Sequence, residues 1–140
     1  MNQIRHKVTH VPKPSPLTKP FWDAAKQKKL VVQYDPDSQS YQWWPRVVSV
    51  KTGKTNLEWK EVSGNGTLYS YTVTHVPAPG FEDKGHYLVG LVELDEGVRI
   101  MSTLSGITED NVKIGMPLRV SWEQLTDEIN MFAFEARNKP

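Results

Sequence analysis

Residues 67–76, Thr-Leu-Tyr-Ser-Tyr-Thr-Val-Thr-His-Val, are β-branched or aromatic at almost every position and alternate in character. Side chains of that kind fit a pleated, half-buried surface, so the stretch predicts a long strand. The same texture continues downstream. Tyr87–Leu94 reads as a buried strand whose Gly90 signals a bend or bulge. Asp95-Glu96-Gly97 turns the chain into Val98–Leu104, and Leu118–Gln124 and Met131–Glu135 supply two more strands. Pro77–Gly85 reads as an irregular loop, Ile107–Val112 as one helical turn, and Ile114-Gly115-Met116-Pro117 as a turn.

Five strands with a glycine bend and a short helix between the third and fourth predict a small closed barrel of the OB type. The chain ahead of it differs. Residues 8–20 hold four prolines, which restrict their neighbours and predict an extended lead-in. Thr18 then suits an N-cap with Pro20 in the first turn. Phe21-Trp22-Asp23-Ala24-Ala25-Lys26-Gln27-Lys28-Lys29 follows as a helix of two to three turns, with Phe21, Ala24 and Ala25 on one face. Leu30–Tyr34 and Ser40–Trp44 read as a hairpin around Asp35–Gln39, ended by Pro45. The expected fold is therefore mostly β, with an extended basic leader over 1–17, a helix and hairpin region over 18–60, and the barrel over 61–138.

Charge and composition narrow the chemistry. The 140 residues carry a net charge of only +1, but residues 1–30 set seven basic residues against one acid, while the remainder is acidic. A basic arm on an acidic body fits phosphates, an acidic partner, or its own body. There is no cysteine, which excludes disulfides, thiolate-bound metals and cysteine nucleophiles. The amino terminus lacks the apolar run of a signal peptide and no stretch is long enough to span a bilayer, so a cytoplasmic protein without a membrane is expected. His6, His10, His75 and His86 stand in no triad or metal-ligand spacing. The glycine-rich Ser63–Thr67 precedes a strand instead of a helix, so no helix terminus is there to cradle pyrophosphate.

Several short segments fall in a recognisable order: Lys19-Pro20-Phe21-Trp22, Leu30–Gln33, Trp44-Pro45-Arg46, Leu57-Glu58-Trp59, Val62–Val73, Val92–Val98 and Ile114–Val120. Together they resemble the acyl-CoA-associated OB-fold family catalogued as domain of unknown function number thirty-five, in which a helix and a rubredoxin-like zinc ribbon precede the barrel. In the family pattern two Cys-x-x-Cys knuckles bracket the Trp44-Pro45-Arg46 region. Here the matching positions are Asp35, Ser38, Ser49 and Thr52. Hydroxyls stay protonated near neutral pH and are poor zinc ligands, so the expectation is a degenerate, metal-free ribbon with no zinc. The crowded Tyr34, Tyr41, Trp43, Trp44 and Trp59 are the expected replacement for the metal, because each aromatic can bury roughly 150–250 Å².

The resemblance implies a non-catalytic accessory subunit of a thiolase-like enzyme that makes or breaks carbon–carbon bonds in acyl-CoA or other acyl thioesters. It would support assembly and shape the substrate channel. Phe21, Trp22, Trp43 and Trp44 are then the interface candidates. Lys26, Lys28, Lys29 and His75 are weak candidates for contact with acyl-CoA, the one cofactor-like ligand this reading brings, and a homo-oligomer is left open. No catalytic residue is assigned. The rival reading is a single-stranded nucleic-acid-binding OB protein with Tyr69, Tyr71 and Tyr87 as base-stacking platforms. The acidic barrel segment weighs against it.

Overall fold

The computed structural model describes residues 11–76 and 87–137. The first part of the leader, His6, His10, His86 and the Pro77–Gly85 loop lie outside the described residues. One helix, α1 (Lys19–Lys26), leads into β1 (Val31–Asp35), β2 (Ser40–Gln42) and β3 (Glu58–Glu61). The barrel strands follow: β4 (Asn65–Thr74), β5 (Tyr87–Leu94), β6 (Arg99–Ser105), β7 (Pro117–Gln124) and β8 (Asn130–Ala136).

Pro20 sits in the first turn of α1, where its missing amide costs nothing. The helix ends in a Schellman arrangement: the Lys28 and Lys29 amides donate to the carbonyls of Ala25 (2.8 Å) and Ala24 (2.9 Å). Lys28 takes the left-handed conformation there, at φ 61°. From the barrel, the Asn130 side-chain amide donates to the Ala25 and Lys26 carbonyls, at 3.1 and 3.3 Å, so β8 closes the helix end it packs against.

β1 is the centre of an antiparallel three-stranded sheet in the order β2-β1-β3. The five remaining strands close as β4-β5-β6-β8-β7, antiparallel except for the short parallel pairing of β6 with β8. Closure removes the sheet edges. In β5 burial alternates strictly, with Leu88, Gly90, Val92 and Leu94 facing inward. Phe134, Leu118, Ile100 and Leu68 complete the barrel interior, and Phe21, Leu30, Val32 and Val62 join the same apolar cluster. Helix, ribbon and barrel therefore share one core.

One local expectation changes. The irregularity in the barrel falls on β4, where Leu68 pairs with Val92 but Ser70 pairs with Leu91, leaving Tyr69 as the extra residue. Gly90 serves a different end: a Cβ there would lie 2.8 Å from Leu68 Cδ1 and 2.9 Å from Leu104 Cδ2, so its absence admits two leucines to the barrel interior. Ile107–Val112 holds the one turn expected of it and does not extend into a helix. A single turn closes when the Val112 amide reaches the Thr108 carbonyl at 3.0 Å and Asn111 Oδ1 accepts the Thr108 amide at 2.9 Å. Gly106 and Gly115 flank it at positive φ, and so short a stretch cannot repay helix nucleation.

Among the described glycines, Gly66 makes the tightest approach to another backbone. A Cβ there would collide with the Glu93 carbonyl oxygen and come within 3.0 Å of Leu94 Cα. Gly66→Ala must part β4 from β5 and is expected to cost about 1–3 kcal/mol, read as a lower urea midpoint at unchanged slope.

Candidate functional site

Helix, ribbon and barrel meet at an aromatic junction. Phe21, 3% exposed, is its hub: ring centroids lie 4.9 Å from Trp22, 5.3 Å from Trp43 and 5.9 Å from Phe132. Trp43 also meets Trp44 at 5.2 Å and Phe132 at 6.0 Å. These separations and largely edge-to-face tilts are the favourable ones for aromatic pairs. Adjacent on the helix, Phe21 and Trp22 divide their work, Phe21 filling the junction and Trp22 staying half-buried at its rim. Together with Trp44, Pro45 and Met131 they line an apolar groove of about 310 Å³. Trp44 is 58% exposed, and the ribbon loop beyond it shows Val47 and Val50 to solvent. All four interface candidates thus come together at one groove.

Behind the groove the ribbon loop has no strand partners of its own, and two buried amides supply them. Gln33 Nε2 donates to the Arg46 carbonyl (2.7 Å), while Gln33 Oε1 accepts the Arg46 amide (2.8 Å). Gln42 Nε2 donates to Gln33 Oε1 (3.1 Å) and the Val48 carbonyl (3.3 Å), and Gln42 Oε1 accepts the Val50 amide (3.0 Å). Sequence reading missed both glutamines. Their signal was there: a polar residue inside Leu30-Val31-Val32-Gln33-Tyr34, beside a long loop whose backbone groups need partners.

The four vacated ligand positions also converge, around the Asp35 carboxylate, which is 1% exposed. Its Oδ1 accepts the amides of Asp37 (2.9 Å) and Ser38 (3.4 Å). Its Oδ2 accepts the hydroxyls of Ser49 (2.5 Å) and Thr52 (3.0 Å). The Ser38 hydroxyl pairs with that of Ser40 at 2.7 Å. The hydrogen bond from Ser49, joined by those from Asp37, Ser38 and Thr52, outweighs burial and holds the Asp35 carboxyl well below the usual carboxylate range. Nearby on the surface, Lys54 binds Asp37 at 3.0 Å and, with Asn56, lowers the Asp37 pKa.

Zinc does not fit this set. One carboxylate with four hydrogen bonds already on it, two hydroxyls whose protons point at it, and a third hydroxyl turned to Ser40 leave neither thiolate nor imidazole to bind a soft-to-borderline cation. Among the described residues no three His, Cys, Asp or Glu side chains gather as a metal site. The aromatics expected to hold the ribbon pack within it and against its neighbours, away from the Asp35 hydrogen bonds. Trp43 ties the ribbon to the helix and barrel, and Trp44 packs on Trp43. Tyr34 packs on Tyr41 at 4.9 Å, under the Lys60 ammonium.

The cationic candidates lie apart from the groove. Lys26 is paired with Glu128 at 2.6 Å, which raises its pKa, and Lys28 borders a polar cleft with Asp127 and Glu128. Lys29 is exposed just past the helix, and His75 is exposed just past the end of β4. On the barrel wall the Arg99 guanidinium lies 3.7 Å over the Tyr69 ring, occupying a face that a stacked base would need.

Comparison with known proteins gives one consistent picture. The profile of the ChsH2 C-terminal OB-fold domain matches residues 59–123. A probable enoyl-CoA hydratase alpha subunit of Thermomonospora curvata is 37% identical over 116 residues, covering 81% of this chain and 36% of that protein. This chain thus spans about a third of that relative's length. A DUF35 domain-containing scaffold protein of Methanocaldococcus jannaschii is 32% identical over 75 residues, covering 54% of this chain and 53% of that protein. A solved structure described as an Ltp2-ChsH2(DUF35) aldolase contains a chain with TM-score 0.79 and 33% identity, covering 90% of this chain and 98% of that one.

Two outcomes follow from the geometry. Phe21→Ala empties the hub of the junction and is expected to cost about 3–5 kcal/mol, whereas Trp44→Ala, at the exposed rim, stays within about 1 kcal/mol; denaturant melts of both variants separate the roles. Because the folded Asp35 pKa is depressed, its contribution is complete above the unfolded value of about 3.9 and is lost as pH falls through the lower folded value. Melting temperature should therefore drop more steeply with acid below about pH 3.9 in the wild type than in Asp35→Asn.

Proposed function

This chain belongs to the DUF35 family of OB-fold proteins, and on that premise we propose that it is a non-catalytic accessory subunit which docks on a partner enzyme of acyl-CoA metabolism. The observation that carries the reading is its match to nearly the whole length of a chain described together with an Ltp2 aldolase. The names of the other relatives, a hydratase alpha subunit and a scaffold protein, support the same kind of role. The partner we infer is a thiolase-like enzyme that forms or cleaves carbon–carbon bonds in acyl thioesters and supplies the nucleophile itself.

The groove rimmed by Trp22 and Trp44 supports this reading physically. A half-exposed tryptophan beside an apolar concavity, with Val47 and Val50 continuing the surface, has the make-up of an interface anchor. Phe21 and Trp43 hold that surface rigid from beneath, so docking loses little conformational entropy. Lys28 and Lys29 remain candidates for the phosphates of a CoA carried by the partner, while the tight Lys26–Glu128 pair makes Lys26 the weakest of the three.

Affinity capture with the tagged chain from extract of its source organism, at mild salt, tests the proposal by mass spectrometry. A thiolase-like protein is expected in near-equal amount. Joint replacement of Trp22 and Trp44 by alanine should weaken the complex by about 2 kcal/mol or more, roughly thirtyfold in Kd. Recovery of no such enzyme, or acyl-CoA turnover by the chain alone, would overturn the reading.

A further inference from the structure

The disagreement between the ribbon's ancestry and its donor set has a structural resolution. We propose that the Asp35 carboxylate takes the metal's place as the cross-link of the ribbon, an internal anion that gathers both knuckles through hydrogen-bond donors standing at the old ligand positions.

The geometry divides the carboxylate between the two knuckles. Oδ1 serves its own loop, taking the Asp37 and Ser38 amides two and three residues on, as an Asx turn does. Oδ2 does what no local turn requires: it takes the hydroxyls of Ser49 and Thr52, 14 and 17 residues away in the chain. Those two hydroxyls then organise the second knuckle. Ser49 Oγ accepts the amides of Lys51 (3.0 Å) and Thr52 (3.2 Å), and Thr52 Oγ1 accepts the Lys54 amide (3.3 Å). Backbone bonds from Ser49 to the Lys54 carbonyl and from Gly53 to the Ser49 carbonyl, both 2.9 Å, close the loop.

The polarity of the site is inverted relative to a zinc centre. There a cation gathers anionic thiolates; here an anion gathers protonated hydroxyls and amides, and hydrogen bonds to an ionised acceptor are the stronger kind. A carboxylate this deeply buried is tolerable because its lone pairs are so fully used. Serine and threonine, which make the positions useless to zinc, are what the anion needs. The hydroxyls at 49 and 52 thus match the anion at 35, while Ser38 adds only its backbone amide and turns its hydroxyl to Ser40.

Amide hydrogen exchange on the full chain tests this. In Asp35→Asn an amide replaces the carboxylate, the charge is lost, and one acceptor oxygen becomes a donor. Protection at Lys51, Thr52 and Gly53 is expected to fall about tenfold or more, while barrel amides such as Val92 and Ile100 keep theirs. The double variant Ser49→Ala with Thr52→Ala leaves the carboxylate but cuts its reach. It should lose protection across 49–54 and retain it at Asp37, whose amide bonds Asp35 directly. Wild-type protection over 49–54 in either variant would overturn the proposal. So would loss spread evenly over ribbon and barrel in the double variant.

Discussion

A single buried carboxylate ties the turn between β1 and β2 to a long loop that has no strand to lean on. Between β2 and β3 the chain runs for fifteen residues, 43–57, without regular structure, and its backbone groups must find partners elsewhere. They find them on one face of β1. Gln33 and Asp35, two apart and therefore on the same side of the strand, receive the Arg46 end and the Ser49–Thr52 end of the loop respectively. The opposite face of the same strand carries Val32, fully buried in the shared core. β1 is thus the plate on which a polar clamp and an apolar core are mounted back to back.

The clamp matters for function because of what the loop presents. Trp43 and Trp44 lie just after β2, at the start of the clamped segment. Trp43 is fixed between Phe21 and Phe132, and Trp44 is left facing outward over an apolar groove. A loop free to move would present neither the concavity nor its rim in one geometry. Preorganisation of this kind lowers the ordering cost of binding a partner, which is what the proposed accessory role asks of this surface.

How much of this was legible beforehand depends on which forces leave a trace in sequence. The barrel strands were legible because burial on one face imposes a period of two, and α1 because Pro20 and an apolar face marked it. The bulge at Tyr69 left no such mark: glycine at 90 looked like its cause, yet that glycine answers to the packing of Leu68 against Leu104. The interface candidates Phe21, Trp22, Trp43 and Trp44 were readable as large apolar residues but not as neighbours, since their meeting depends on the ribbon's path. Asp35 was legible only as a missing ligand. Its positive role is set by donors 14 and 17 residues away, a pairing that local periodicity cannot express. Aromatic area is easy to count along a sequence, so the contribution of Tyr34, Tyr41 and Trp43 to the ribbon is legible, whereas a network of short polar side chains is not.

The most direct test of a carboxylate in the metal's place is the metal content of the native chain set beside its response to chelation. Elemental analysis should find far less than one zinc per chain, and the melting curve should be unmoved by EDTA or by added zinc. Stoichiometric zinc whose removal lowers the melting temperature would contradict the account.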